Sequence, residues 1–421
     1  MSRVVYICDS VAQSARQEDG RHDGHGGPVM RTGRFEAREF AERRARVKAA
    51  MSKTGFDLLV VSDPANMDYL TGYKGWSFYV PQAVLVHAAE DKLIWIGRGQ
   101  DAGAARITTD LPDVAIVPYP DDYVQNRRKH PMNFVADYIR GRGWQRAAIG
   151  VEADAYYFSM RAGDALRRDL PDARLRDCDH LVNWVRIVKS PAEIAHMREA
   201  ARLVEAAMQT AIDRIAPGVR QCDAVADIYH AQVAGTPEFG GDYTAICPLL
   251  PTGEGTGTPH LTWSDAPFKR GEATIIELAG SRKGYHCPMA RTVHLGQPPQ
   301  RLADTAKVVV EGLRAALGAA RPGATCAQVE AAWRGVIARH GIVKDSRIGY
   351  SIGIGYPPDW GEHTASLRPG DDTVLQPNMT FHCIPGIWQD GWGIEISAAF
   401  VVTDRGADRF SNFPDELVIK T

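Results

Sequence analysis

Residues 275–292 read IIELAGSRKGYHCPMART, and this stretch decides how the second half of the chain is interpreted. Glu277 is flanked by apolar residues on both sides, and Glu395 likewise stands between two isoleucines. An ionised carboxylate is costly in apolar surroundings unless a cationic group meets it. The two segments therefore indicate a pair of buried carboxylates, and such a pair suggests a pocket for a cation.

An ordered series of short sequence blocks surrounds these carboxylates. In chain order the blocks are Gly253 with Thr258-Pro259-His260, Ile276–Gly280, Gly284–Thr292, Gly349–Gly353, Met379–Gly386 and Gly393–Glu395. This order resembles the pita-bread family of methionine aminopeptidases, X-Pro aminopeptidases, prolidases and creatinase, from about Phe35 to the C-terminus. The resemblance implies an α/β plus α+β chain, in which a creatinase-like N-terminal α/β domain is followed by a pita-bread catalytic domain.

Local patterns elsewhere agree with two domains. In the first half, short β-like runs alternate with helical stretches, which is typical of an α/β domain with a central sheet. Residues 190–193, Ser-Pro-Ala-Glu, then form a capping box, and apolar residues recur behind it at three- and four-residue steps. We expect a long helix there that stops before Pro217. The chain divides into a flexible tail at 1–30, an N-terminal domain at 31–187 and a catalytic domain at 188–421.

Composition excludes several classes of protein. The 421 residues are 44% hydrophobic and 24% charged, as in soluble globular proteins. Lys and Arg total 49 against 51 for Asp and Glu, so the chain has no large field to attract nucleic acid or an anionic membrane. The 7 cysteines lack metal-like spacing, and neither a membrane span nor a signal peptide is visible. We expect a cytoplasmic protein with no nucleic-acid or membrane partner.

The peptidases of the pita-bread family bind two metal ions through two Asp, one His and two Glu. By resemblance, these positions fall here on Glu277, Pro288, Tyr350, Ile384 and Glu395. Three of the five are poor or incapable ligands, and two carboxylates alone hold a transition metal weakly. We therefore expect no metal cofactor and no peptidase activity.

Longer strings of sequence are similar to those of the ectoine hydrolases, a group within this family. These strings are Leu70–Tyr79, Phe239–Tyr243, Leu250–Gly253, Pro259–Trp263, Tyr285–Met289 and Tyr356–Glu362. The resemblance implies a hydrolase that opens the cyclic amidine of ectoine, a small zwitterion, and of 5-hydroxyectoine. The product would be an N-acetylated 2,4-diaminobutyrate.

Three residues are expected to carry this chemistry. Glu277 would act as nucleophile or general base at the central amidine carbon, and Glu395 would pair with the cation. His260, at the position of the family's catalytic His, would move a proton to the departing ring nitrogen. The residues expected to bind the substrate are Trp76, Phe78, Tyr79, Asp242, Tyr243, Tyr285, His286, Tyr350, Trp360, Glu362 and His382. For the aromatic residues core packing is the alternative, and for the two His a structural hydrogen bond.

The resemblance also bears on binding partners, and two alternative functions remain. In creatinase-like enzymes the region of Trp76–Tyr79 approaches the pocket of a neighbouring subunit, so the resemblance implies a homodimer. A deacetylase acting on the product is a candidate partner. A metal-dependent dimethylsulfoniopropionate lyase of the same fold and a noncatalytic binding protein both stay open as alternative functions.

Overall fold

A computed structural model describes residues 35–421, so the tail expected at residues 1–30 lies outside the described residues. This part of the chain contains a six-stranded sheet and an eight-stranded sheet, each packed with helices, together with a separate two-stranded ribbon. The expected fold class, an α/β domain followed by an α+β domain, is confirmed. No helix within residues 35–421 combines the length and the hydropathy that a membrane span requires.

The first sheet has the strand order β4-β3-β2-β1-β5-β6. Its strands are β1 Leu58–Val61, β2 Ala83–His87, β3 Ile94–Arg98, β4 Ile116–Tyr119, β5 Ala148–Val151 and β6 Arg174–Asp177. The β1–β2 and β2–β3 pairs are antiparallel, and the other pairs are parallel. All four residues of β1 are buried, as expected for a central strand with both faces covered.

Six helices accompany this sheet. They are α1 Ala37–Thr54, α2 Pro64–Thr71, α3 Ala102–Thr108, α4 Pro131–Gly141, α5 Met160–Asp169 and α6 Leu181–Arg186. Helix α1 buries Phe40, Val47 and Met51, which lie on one face because they recur close to the helical period. It ends at Gly55, whose φ of 72° is readily adopted only by glycine.

The second half contributes four more helices, α7 Pro191–Arg214, α8 Gln221–Ala234, α9 Gln300–Ala319 and α10 Cys326–Ala338. The capping box predicted at the start of α7 is confirmed. The Ser190 hydroxyl accepts from the Glu193 N–H at 3.2 Å, and the Glu193 carboxylate accepts from the Ser190 N–H at 2.8 Å. Helix α7 ends at Arg214, before Pro217 as predicted.

The second sheet has the order β15-β14-β11-β9-β8-β16, with β7 paired to β8 and β10 paired to β9. Its strands are β7 Ala273–Arg282, β8 Tyr285–Leu295, β9 Gly349–Tyr356, β10 Asp359–Ser366, β11 Thr380–Cys383, β14 Ala398–Thr403, β15 Gly406–Arg409 and β16 Val418–Lys420. Strands β12 Ile387–Gln389 and β13 Trp392–Ile394 form the separate ribbon.

The register of β7 and β8 decides which way Glu277 faces. Glu277 lies opposite Ala290, and Ala279 lies opposite Pro288, so these side chains share one face of the hairpin. Gly280 belongs to the other face, where α7 packs so closely that a Cβ would lie 2.1 Å from the Ala200 carbonyl oxygen. The Glu277 face is therefore turned away from α7.

Buried ion pairs join the two halves of the chain. The Glu362 carboxylate on β10 accepts from Arg186 Nη1 at 3.0 Å and from Lys189 Nζ at 2.6 Å. Arg186 also donates to the Asn66 side chain at 2.9 Å, and Asn66 in turn donates to Glu152. Because all these side chains are buried, the pairs fix β10 against the N-terminal half.

Candidate active site

Glu277 and Glu395 are held over the same face of β8. The Glu277 backbone bonds to Leu249 on one side and pairs with Ala290 on the other. The Glu395 N–H donates to the Thr292 hydroxyl at 2.9 Å, and that hydroxyl donates to the Glu395 carbonyl at 3.0 Å. Since Ala290 and Thr292 are alternate residues of β8, both carboxylates belong to one face of the strand.

The Glu395 carboxylate is buried without a hydrogen-bond partner. The residue is 0% exposed, and neither oxygen has a partner between residues 35 and 421. The indole N–H of Trp388 lies close enough to favour the ionised form but forms no hydrogen bond with it. Burial, followed by the charge of Glu277, raises the pKa of Glu395 well above its ordinary range. Buried polar groups are normally paired, so this carboxylate is poised for a group from outside residues 35–421.

Glu277 is the second member of the pair. Burial, and then the negative charge of Asp359, raise the pKa of Glu277 to about 7. A carboxyl group with this pKa exchanges protons near neutral pH, which suits a general base. Because Glu277 also raises the pKa of Glu395, the two carboxylates titrate as a pair.

A line of four polar side chains runs beside the carboxylates. Trp360 Nε1 donates to the Tyr350 hydroxyl at 2.9 Å, and that hydroxyl lies 3.2 Å from His382 Nδ1. His382 Nε2 lies 2.8 Å from the Ser397 hydroxyl, which also accepts from the Ala290 N–H. Burial, together with Glu277, raises the pKa of Tyr350 well above 10, and burial lowers the pKa of His382 to about 3. The phenol therefore keeps its proton and the imidazole is neutral.

A cleft of about 280 Å³ lies beside the polar line. Its lining includes Tyr350 and Asp359, whose charge reaches Glu277, together with Arg347 and His363. The guanidinium carbon of Arg347 lies 4.6 Å from the centre of the Tyr350 ring. A small polar molecule that enters the cleft therefore reaches the polar line at Tyr350.

Three of the expected substrate-binding residues form an aromatic patch, which we define as Trp76, Phe78 and Tyr243, and Tyr79 follows in the same segment. Ring centres of Trp76 and Phe78 are 4.7 Å apart, and those of Trp76 and Tyr243 are 4.6 Å apart. Trp76 is 56% exposed and Tyr79 is 61% exposed. Asp242 lies next to this patch and accepts from the Gly284 N–H at 2.8 Å.

His260 lies in an exposed loop after a short 3₁₀ turn at Gly253–Gly257. The loop is anchored where the Leu250 N–H donates to the Leu261 carbonyl at 3.0 Å. Its expected role as a proton carrier stays a prediction, since the structure does not bring it into contact with the carboxylate pair.

Three other expected residues make structural contacts. Tyr285 alternates with the residues on the Glu277 face, and its hydroxyl donates to Glu193 at 2.8 Å. His286 is fixed by the backbone, because Nε2 accepts from the Ala245 N–H at 2.9 Å and Nδ1 lies 3.0 Å from the Gly284 carbonyl. Glu362 is held by the two cations at the domain junction. His286 shares the hairpin face of Glu277, and its ring centre lies 6.2 Å from that of Trp360, whereas Tyr285 and Glu362 are engaged elsewhere.

Sequence reasoning missed several residues of the site. They are Lys344, Arg347, Asp359, Trp388 and Ser397. Asp359 lies within the string Tyr356–Glu362, and Ser397 lies two residues after Glu395. Assigning strands to these two segments would have identified both residues as candidates. Lys344 and Arg347 lie between α10 and β9 and carry no periodic signal.

Two family models cover most of the chain. Residues 43–188 match the creatinase/prolidase N-terminal domain, and residues 195–404 match metallopeptidase family M24. The chain belongs to family M24.

Three M24 relatives give the scale of the similarity. Ectoine hydrolase of Halomonas elongata is 45% identical over 92% of this chain and 98% of its own length. The crystal structure of dipeptidase PepE from Mycobacterium ulcerans has a TM-score of 0.76 at 25% identity, covering 92% of this chain and 99% of that one. Prolidase from Thermococcus sibiricus has a TM-score of 0.78 at 20% identity, covering 90% and 99%, and so shows the fold alone.

The name of family M24 implies a metal site, but the side chains present here do not fit one. Pro288 and Ile384 offer no ligand atom, and the Tyr350 oxygen is already bonded to Trp360 and His382. Within residues 35–421, no group of three or more His, Cys, Asp or Glu is arranged to hold a metal ion. Stable metal sites need three or four placed ligands, so the donor set does not suit the family's metal pair.

Proposed function

We propose that this protein is a hydrolase that opens the cyclic amidine of ectoine, and of 5-hydroxyectoine, to an N-acetylated 2,4-diaminobutyrate. One observation carries the proposal: the Glu395 carboxylate is fully buried, lies close enough to Glu277 for the two charges to interact, and has no hydrogen-bond partner in the described chain. The name of the 45% identical relative from Halomonas elongata supports the choice of ectoine.

A cyclic amidinium suits the two carboxylates. Its positive charge is spread over two ring nitrogens, each with one N–H, and the two N–H bonds diverge on either side of the carbon that carries the methyl group. One carboxylate can therefore accept from each nitrogen in a charge-assisted hydrogen bond. Glu277 and Glu395 supply two such acceptors, and binding a cation there removes the penalty of burying their charges.

The positions that differ from a metal site also suit an organic ring. Pro288 lies two residues from Ala290 on the Glu277 face, where the family's peptidases would place an Asp. An apolar side chain beside a carboxylate disfavours a hydrated cation but packs against the CH₂ and CH₃ groups of a ring. The same donor set favours ectoine over a metal-dependent lyase, and we propose that the reaction proceeds without a metal.

Glu277 acts at the central carbon of the amidinium, either as the nucleophile or by taking a proton from the attacking water. A water oxygen adds to that carbon, either directly or after a covalent bond from Glu277 has formed, and in the second case the water breaks that bond and frees the carboxylate. One C–N bond of the ring breaks, and the departing nitrogen leaves with the electron pair and takes up a proton. His260 is the proposed carrier of this proton, and the exposed loop must then fold over the site. Tyr350 keeps its proton and is oriented by Trp360 and His382, so its hydroxyl can donate a hydrogen bond to the substrate.

The exposed aromatic side chains at residues 76–79 bear on self-association. Trp76 and Tyr79 are large and exposed, Trp76 packs against Tyr243 of the second half, and aromatic side chains of this kind concentrate at protein interfaces. We propose that they contact a second copy of the chain in a homodimer, and that a product deacetylase acts after release. The six cysteines between residues 35 and 421 form no disulfides, which fits a reducing cytoplasm.

The direct test is to incubate metal-stripped protein with ectoine and to follow ring opening by ¹H NMR. We expect loss of the ring signals and appearance of an acetyl signal from the product. Absence of turnover, combined with thermal stabilisation by ectoine, would instead support the noncatalytic binding protein. Turnover of dimethylsulfoniopropionate that depends on added metal would support the lyase.

A further inference from the structure

Lys344 is a buried cation without an assigned role. It lies in the connection between α10 and β9 and is 6% exposed. Its Nζ atom forms no hydrogen bond within residues 35–421 and lies 3.9 Å from the centre of the Trp388 ring. A buried ammonium group that lacks a hydrogen bond is costly, so its presence needs an explanation beyond packing.

The side chain that explains it is Glu395. Trp388 and Glu395 both pack against the backbone of Gly386, where a Cβ would lie 2.4 Å from the indole ring and 2.7 Å from Glu395 Cγ. The indole that Lys344 contacts is therefore a direct neighbour of the carboxylate. Both groups keep unpartnered polar atoms inside the protein, so their charges interact with little screening.

Lys344 and Glu395 shift each other's pKa in the direction expected for a cation and an anion in proximity. Burial lowers the pKa of Lys344 to about 8, and the charge of Glu395 opposes this shift. Conversely, burial and Glu277 raise the pKa of Glu395, while Lys344 lowers it. Other charges near Lys344 are Arg334, which lowers the pKa of Lys344 and donates to its backbone carbonyl at 2.9 Å, and Glu330, which pairs with Arg334.

We propose that Lys344 is a positioning residue: its ammonium group lies beside Glu395 and stabilises the ionised form of that carboxylate. With both carboxylates ionised and Lys344 protonated, these three groups together carry one negative charge. The amidinium group of the substrate offsets this charge, so the carboxylate pair is set to hold one cationic group. This match to a cationic group rests on the proposed function, but the link between Lys344 and Glu395 does not.

The link itself is tested on the free protein, without substrate. Lysine labelled at Cε and Nζ is titrated by NMR, and the Lys344 signal is identified by its loss in Lys344→Met. We expect it to titrate near pH 8 in the parent protein, and roughly one pH unit lower in Glu395→Gln, because the anion that favours the charged lysine is gone. An unchanged titration in Glu395→Gln, or titration at the ordinary lysine value, overturns the proposal.

The catalytic consequence is tested by the pH profile of ectoine ring opening. Lys344→Met removes a positive charge near Glu395, so the acid limb of kcat/KM should move to higher pH, with roughly tenfold lower activity at pH 7 and recovery in alkali. Lys344→Arg should keep the original profile, and Lys307→Met, at an exposed lysine on α9, is the matched control. An equal loss at every pH, or no shift, overturns the proposal. If the chain does not open ectoine at all, the NMR titration still tests the link between Lys344 and Glu395.

Discussion

The Tyr350 hydroxyl lies 3.2 Å from His382 Nδ1, directly across β9 and β11. The same hydroxyl accepts from the Trp360 indole at 2.9 Å, while the far nitrogen of His382 faces Ser397 at 2.8 Å. Since the imidazole is neutral and the phenol keeps its proton, the line can pass a proton without first creating a buried charge. The Tyr350 hydroxyl is therefore a hydrogen-bonding group whose direction is fixed by its two neighbours.

Tyr350→Phe is expected to lower kcat for ectoine roughly a hundredfold, because the site loses a positioned proton donor. It should also cost about 1–3 kcal/mol in the free energy of unfolding, since Trp360 and His382 each lose a buried partner. Steady-state kinetics and urea unfolding measure the two effects. Tyr119→Phe is the control, because its hydroxyl donates to the Pro81 carbonyl at 2.7 Å far from the site. If both variants lose stability but Tyr350→Phe keeps its kcat, the hydroxyl is only structural.

Glu277→Gln should abolish ring opening, whether the carboxylate attacks or activates water. In the parent protein, kcat/KM should fall tenfold per pH unit below the pKa of about 7 and reach a plateau above it, because the ionised form is required. Rate measurements between pH 5 and 9 test this, with Glu311→Gln, an exposed residue paired to Arg339, as control. Full activity in Glu277→Gln would remove this residue from the mechanism.

Glu395→Gln should be inactive yet more stable than the parent protein in alkali. The folded-state pKa of Glu395 is raised, so the folded protein binds the proton more tightly than the unfolded chain, and the stability from this group is lost as pH rises from its unfolded value of about 4.5. The neutral amide removes this loss. Thermal unfolding at pH 5 and pH 8 should therefore show a larger gain for the variant at pH 8. A gain that is equal at both values would contradict a raised pKa.

Trp76→Ala should weaken self-association roughly tenfold or more, because large aromatic side chains dominate interface energetics. Sedimentation velocity over a dilution series measures the change, and activity measured at the same concentrations shows whether the site needs the dimer. Met160→Ala, at a residue that is 83% exposed, is the control. A parent protein that is monomeric and fully active at every concentration would refute the shared-interface proposal.

Removal of metal ions should leave ring opening unchanged. The donor set around Glu277 lacks the ligands for a metal pair, so protein dialysed against a strong chelator should keep its kcat/KM, with metal content measured by mass spectrometry. Restoration of lost activity by added Mn²⁺ would contradict a reaction carried by the carboxylates alone.

The sequence predicted those features that depend on neighbouring residues. The capping box at Ser190 needs only four consecutive positions, and the fold class follows from the order of short blocks. Glu277 could be predicted because a carboxylate flanked by apolar residues is visible in the sequence alone. In each case the physical cause lies within a few residues along the chain.

Features that depend on strand register could not be predicted. The line from Trp360 to Ser397 exists because β9, β10 and β11 align residues far apart in sequence. Tyr285 and Glu362 were assigned to the substrate, but the fold uses them at α7 and at the domain junction. A lone lysine such as Lys344 gives no pattern at all, and only its burial next to Trp388 marks it.

The ion pairs between Glu362, Arg186 and Lys189 set a condition on engineering this protein. A chimera that takes its first sheet from another family member must also bring a cation at position 186, or Glu362 will lose one of its two cationic partners in the interior. Since Trp360 lies two residues before Glu362 on strand β10 and donates to Tyr350, such a mismatch would also disturb the hydrogen bond to that tyrosine. Grafting experiments should therefore exchange the helix that carries Arg186 together with its recipient strand.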